Sequence, residues 1–118
     1  MLPFKNRLTK RKDFEKVQKI GQFFSEENIA IKFLPNDLPE TRMGFIVGMK
    51  YSKKAVERNQ TKRLLRDMFQ KRLSGIKKGY DVAVIIRRRE GEKIKKEKLE
   101  KSAEQVLIKS GLASKIKL

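Results

Sequence analysis

The residues with chemistry to offer cluster in one stretch, "ERNQTKRLLRD", Glu57 to Asp67. Arg58, Lys62 and Arg66 recur at i, i+4 and i+8, and Asn59 and Arg63 lie on the adjoining ridge. On a helix they would form a stripe of cations with one amide in it. Glu57 and Asp67 fall away from the stripe and do not neutralise it within the helix. Guanidinium forks bind phosphate bidentately, and an Asn side chain hydrogen-bonds a base edge or a ribose hydroxyl. Two readings stand for the stripe: a solvated basic face that serves solubility, and a surface shaped for a polyanion.

The whole chain tilts the choice. Its 118 residues carry 31 Lys and Arg against 14 Asp and Glu, a formal charge of +17. That is more than solubility requires, and the folded chain repels itself unless a polyanion neutralises it. Nucleic acid is the expected partner. Membrane-surface binding would need a long amphipathic helix with large apolar residues on its other face, or a lipid-anchor motif, and neither stands out. The longest strongly apolar stretch, "VAVII" at Val82 to Ile86, is far short of the ~20 residues of a spanning helix. The start, "MLPFKNRLTKRK", lacks the apolar core of a secretory signal, so a cytoplasmic protein is expected.

Residue types that are missing restrict catalysis. The chain has no His and no Cys, hence no imidazole base, no thiolate nucleophile and no zinc ligand other than carboxylates. The acids are scattered among lysines, as in "REGEKIKKEKLEK", and read as helix-surface charges in preference to a magnesium site. No catalytic or metal-binding residue is expected in the protein.

The elements that must position the stripe follow from periodicity. Thr9 is a cap for a helix running to about Ile20, with Phe14, Val17 and Ile20 on one side and Gly21 ending it. "NIAIKFLP" alternates, placing Ile29, Ile31 and Phe33 on one face of a strand stopped at Pro35 and Asn36, and "RMGFIVG", Arg42 to Gly48, is another strand. Ser52 is the expected N-cap of a long helix from Lys53 to about Leu73, on which Thr61, Leu64, Leu65, Met68 and Phe69 face inward. "YDVAVIIR" is apolar on both alternations, as a strand buried on two faces would be. A last helix spans about Lys95 to Ser110, with Leu99, Ala103, Val106 and Leu107 at helical spacing. The chain reads as one α+β domain over residues 1–118, a sandwich of helices against one sheet in the order α-β-β-β-α-β-α. Only two of the first three strands are bounded by pattern.

With these elements in place, "AVERNQTKRLLRDMF" resembles the arginine-asparagine-arginine signature of the bacterial ribonuclease P protein subunit, approximately A-V-x-R-N-R-x-K-R-x-x-R-E-x-F. "RLTKRKDFEKV" is similar to that family's first helix, "RMGFIVGMKYSKKAVERN" to its strand-to-helix entry and "GYDVAVIIRR" to its final strand. Gln60 stands where the family usually has its second arginine, Asp67 replaces a common Glu, and Met49 replaces the first of a usual lysine pair before Lys50. The resemblance implies a ribonucleoprotein, the endoribonuclease that cuts the 5′ leader from precursor tRNA. Its catalytic RNA would perform the chemistry with magnesium ions, and its small protein would bind that RNA and the leader. No cofactor is expected in the protein itself, which would be monomeric, with one copy per RNA and no membrane partner. The resemblance also implies a left-handed β-α-β crossover through the long helix, as in the second domain of a small-subunit ribosomal protein, against the general right-handed rule.

By the same carry-over, Arg58, Asn59, Gln60, Lys62, Arg63 and Arg66 would face the catalytic RNA, and Phe14, Lys32 and Lys50 the leader. Lys53, Lys54, Arg87 and Arg88, with Arg89 beside them, are further candidates for phosphate contacts. Plain alternatives stand beside each: core packing for Phe14, and simple solvation for Lys32 and for the Arg87 to Arg89 run. The rival function is a ribosomal or other structural RNA-binding protein with no part in cleavage. A DNA-binding regulator lacks a helix-turn-helix pair, because strands separate the first helix from the basic one.

Overall fold

The computed structural model describes residues 2–89 and 91–114. A short 3-10 turn at Phe4–Asn6 leads to α1 (Arg11–Ile20), then β1 (Gln22–Glu26), β2 (Ile29–Pro35) and β3 (Arg42–Ile46). After a loop come α2 (Ala55–Lys71), a second 3-10 turn (Leu73–Gly75), β4 (Tyr80–Ile86) and α3 (Lys96–Ser110). The four strands lie in the order β1-β2-β4-β3. β2 pairs antiparallel with both β1 and β4, whereas β3 and β4 run parallel and are joined through α2. A parallel pair needs such a crossover, and α2 is the expected one.

Strand alternation divides the core in two. Ile29, Ile31 and Phe33 of β2, Met43 and Phe45 of β3, and Val82, Val84 and Ile86 of β4 pack with Leu65, Met68 and Phe69 of α2 and Leu99, Ala103, Val106 and Leu107 of α3. The opposite face carries a smaller cluster, in which Leu8 and Val17 meet Ala83, with Phe14, Leu34 and Ile46 at its margin. β4 is therefore covered on both sides, as its continuous apolar run requires. α1 covers the small-cluster side together with the Leu8 segment, and Lys32, Leu34, Ile46 and Ile85 stay half-buried there.

Several boundaries differ from the sequence reading. The N-cap of α1 is Lys10, with no side-chain cap, so Thr9 does not serve. α2 begins at Ala55 with Lys54 as N-cap. Ser52 instead accepts a hydrogen bond from the Lys54 N–H at 3.1 Å, ahead of the helix, because the chain is still extended at Lys54. Ile20 is 59% exposed and does not join Val17. The third strand that the pattern left unbounded is β1, which closes on β2 through a tight turn at Glu27 and Asn28, with Glu27 at φ 53°. Glu92 is no helix-surface charge. It precedes α3 and accepts from the Arg89 N–H (3.0 Å) and the Asn28 side-chain amide (3.2 Å), pinning the turn after β4. Glu90, read with the same charges, lies outside the described residues.

Candidate nucleic-acid interface

The two flanks of α2 differ in charge. Its inward side buries Thr61, Leu65, Met68 and Phe69 against the sheet. Toward α3 its charges are consumed: Lys71 meets Glu100 at 3.9 Å, and Arg72 just past its end meets Glu104 at 3.1 Å. Glu57, in the first turn, pairs with Arg88 at 3.4 Å. The other flank carries Asn59, Arg63 and Arg66 exposed and Lys62 half-buried. Among the described residues none of Lys62, Arg63 and Arg66 has a carboxylate within ion-pair distance. Arg58, nearer the sheet, is half-buried and donates to the Ser52 carbonyl at 3.0 Å. So the predicted stripe exists as a surface, with Arg58 at its inner margin holding the preceding loop. Gln60 is exposed, and at about 100° per residue it lies just past Asp67, on the side away from the Asn59–Arg63 ridge.

The loop from β3 to α2 carries Met49, Lys50, Lys53 and Lys54, all exposed, beside the buried Ser52 and half-buried Tyr51. It is tied down from β4. The Arg88 guanidinium stacks over the Tyr51 ring, 4.3 Å from its centroid, and donates to the Tyr51 carbonyl and the Glu57 carboxylate. The neighbouring Ser52 hydroxyl, then Arg88 and Lys54, hold the Glu57 carboxyl below its ordinary value.

The second candidate surface lies where α1 crosses the sheet. Phe14 is half-buried with its ring over Gly44. A Cβ at Gly44 would stand 1.9 Å from the Phe14 Cζ, so only glycine admits the ring there. Lys32 projects from β2 to the α1 side, as its alternation predicts, and its Nζ donates to the Gln18 carbonyl in the last turn of α1 at 2.8 Å. Ile20 and Phe23, 59% and 51% exposed, lie at the same margin. Phe14 and Lys32 thus belong to one α1–sheet junction, while Lys50 sits apart in the β3–α2 loop.

The sequence and the fold that carry this arrangement are similar to those of known proteins. A protein-family model described as Ribonuclease P matches residues 2–111. The chain belongs to the ribonuclease P protein family. The ribonuclease P protein component of Dehalococcoides mccartyi (strain CBDB1) is 38% identical over 110 residues, covering 93% of this chain and 88% of that protein. The same component from Pseudanabaena sp. is 40% identical over 87 residues, 73% and 75% of the two chains. A solved RNase P protein from Thermotoga maritima superposes with a TM-score of 0.77 at 32% identity, over 86% of this chain and 96% of that one. One from Staphylococcus aureus gives 0.80 at 26% identity, over 92% and 98%.

Within a ribonuclease P protein, the remaining predicted residues fall at the end of β4. Arg87 and Arg89 are exposed, and Arg87 donates to the Glu27 carbonyl at 3.4 Å. Arg88 alone of the three turns inward to Tyr51. The described residues hold no grouping of three or more carboxylates able to take a metal ion. Sequence reading missed the Tyr51–Glu57–Arg88 knot and the Arg42–Asp81–Asp13 network. Their partners are far apart in sequence: 37 and 31 residues for Arg88, 39 for Arg42 to Asp81. No local periodicity signals such pairs.

Proposed function

We infer that this chain is the protein subunit of a ribonuclease P ribonucleoprotein, binding the catalytic RNA through the free flank of α2 and assisting removal of the 5′ leader from precursor tRNA. The observation that carries the reading is the row Asn59, Lys62, Arg63 and Arg66, whose three cations have no carboxylate within ion-pair distance among the described residues, on the crossover helix of a ribonuclease P protein. A row of cations without carboxylate partners is available to displace the counterions of an RNA backbone. Lys50, Lys53 and Lys54 extend it toward the loop.

The leader is the proposed ligand of the α1–sheet junction, where Phe14 offers an aromatic face and Lys32 offers charge to a single strand. The chemistry belongs to the RNA with magnesium ions. The protein contributes by neutralising phosphate and holding substrate, as a cytoplasmic monomer with one copy per RNA. The test is cleavage of precursor tRNA by the organism's catalytic RNA across a magnesium titration. Added protein lowers the magnesium needed for half-maximal cleavage if the reading holds. A structural RNA-binding protein would bind and leave that requirement where it was, and cutting by the protein alone would point to a stand-alone nuclease.

A further inference from the structure

Arg88 stands apart from its neighbours. Its side chain is only 25% exposed, whereas Arg87 and Arg89 on either side are exposed. One face of its guanidinium is covered by the Tyr51 ring, and its Nη2 donates to both the Tyr51 carbonyl and Glu57 Oε1. Tyr51 is in turn hydrogen-bonded through its hydroxyl to the Thr61 hydroxyl (3.3 Å) on the inner face of α2. Arg58 donates to the Ser52 carbonyl, and the Ser52 hydroxyl accepts from the Lys54 N–H. These bonds form one connected knot, in which the end of β4 meets the β3–α2 loop and the first turns of α2.

We propose that Arg88 is a positioning residue for the RNA-facing surface, holding the 48–54 loop and the start of α2 so that Lys50, Lys53, Lys54 and Asn59 are presented together. The proposal rests on the functional reading given for the α2 flank. Arginine suits the task because its planar fork stacks on an aromatic ring while it donates in its own plane, which a lysine cannot reproduce. Glu57 sits among cations as the counter-charge of this fork, which explains a carboxylate in the first turn of an otherwise RNA-facing helix. Without the knot the loop would sample several conformations, and RNA binding would have to supply the ordering entropy.

The test uses the full chain and three variants, Arg88→Met, Arg88→Lys and Glu57→Ala. In the free protein, amide exchange across Tyr51 to Arg58 should quicken about tenfold in Arg88→Met while β2 and α3 stay protected. Affinity for the catalytic RNA should fall about tenfold at fixed salt with no change in the slope of log affinity against log salt, because the number of neutralised phosphates is unaltered. Arg88→Lys should fail to rescue. Glu57→Ala should weaken binding too, although removing a negative charge would by itself tighten it. The proposal is overturned if exchange is unchanged, if the slope falls by about 0.7 to 0.9 as when one phosphate is no longer neutralised, if lysine rescues fully, or if Glu57→Ala tightens binding. The exchange experiment needs no RNA, so a wild-type chain that fails to bind the catalytic RNA would sink the functional reading and leave the positioning claim to be decided by exchange.

Discussion

Packing and the proposed leader recognition meet in one side chain at Phe14. Its ring is half-buried over Gly44, so truncation to alanine would confuse reduced stability with reduced stacking. Phe14→Leu keeps apolar volume over the glycine and removes the aromatic face. It should weaken holoenzyme affinity for leader-bearing precursor by about 1 to 3 kcal/mol, the range for base stacking, with mature tRNA bound as before. Equal loss for both RNAs, together with a lowered melting temperature, would assign the ring to packing alone. Gly44→Ala is the complementary change. A methyl group 1.9 Å from the Phe14 Cζ must expel the ring, and denaturant unfolding should show about 1 to 3 kcal/mol of destabilisation. From the sequence, Phe14 was visible as an apolar position on a basic helix, but its partner was not. Glycine in a strand announces a close approach without saying what approaches.

At the scale of elements, α1 is held across the sheet by charge as well as by Val17. Arg42 of β3 donates to both carboxylate oxygens of the buried Asp81 at 2.8 and 2.7 Å, and meets Asp13 of α1 at 3.4 Å. Its hydrogen bond to Asp81 raises the Arg42 pKa further above its ordinary value, so the cation persists throughout the working range. Arg42→Met would strand two carboxylates and should cost about 3 kcal/mol in a urea titration. The start of α2 gives a pH signature. The Glu57 carboxyl is held below its ordinary value of 4.5, first by Ser52 and then by Arg88 and Lys54. A folded-state value below the unfolded one means its stabilisation is complete at neutral pH and disappears as pH falls through the folded value. Wild type should therefore melt above Glu57→Gln at pH 7, and the gap should close below about pH 4.5. A gap independent of pH would contradict the ion pair. The long helices and β4 were legible because their apolar periods are sustained; β1 was not, since "QFFSEE" neither alternates cleanly nor runs apolar. Its strand state comes from pairing with β2. The starts of α1 and α2 were misplaced because Thr9 and Ser52 look like caps while the backbone at Lys10 and Lys54 remains extended.

Across the whole molecule, the net charge of +17 is not spread evenly in effect. Acids are spent bracing elements to one another, as Glu100 and Glu104 of α3 brace the end of α2 and Glu26 of β1 braces Lys109 at 3.7 Å. Among the described residues, Lys62, Arg63 and Arg66 on the outer flank of α2 have no carboxylate within ion-pair distance, and the proposed RNA would supply the counter-charge. Composition made the partner class legible, and the motif placed the stripe. What sequence could not give was which cations are free and which, like Arg58 and Arg88, are already engaged, since that depends on interactions made only in the fold. The central claim is that Lys62, Arg63 and Arg66 bind RNA phosphate, and the direct measurement is the salt dependence of catalytic-RNA affinity for wild type and for the triple change Lys62→Ala, Arg63→Ala, Arg66→Ala. Alanine favours the helix, so the fold should persist, with circular dichroism as the check. Binding should weaken, and the slope of log affinity against log salt should fall by about 2 to 3, at about 0.7 to 0.9 for each phosphate left without its cation. An unchanged slope in a folded triple variant would contradict it.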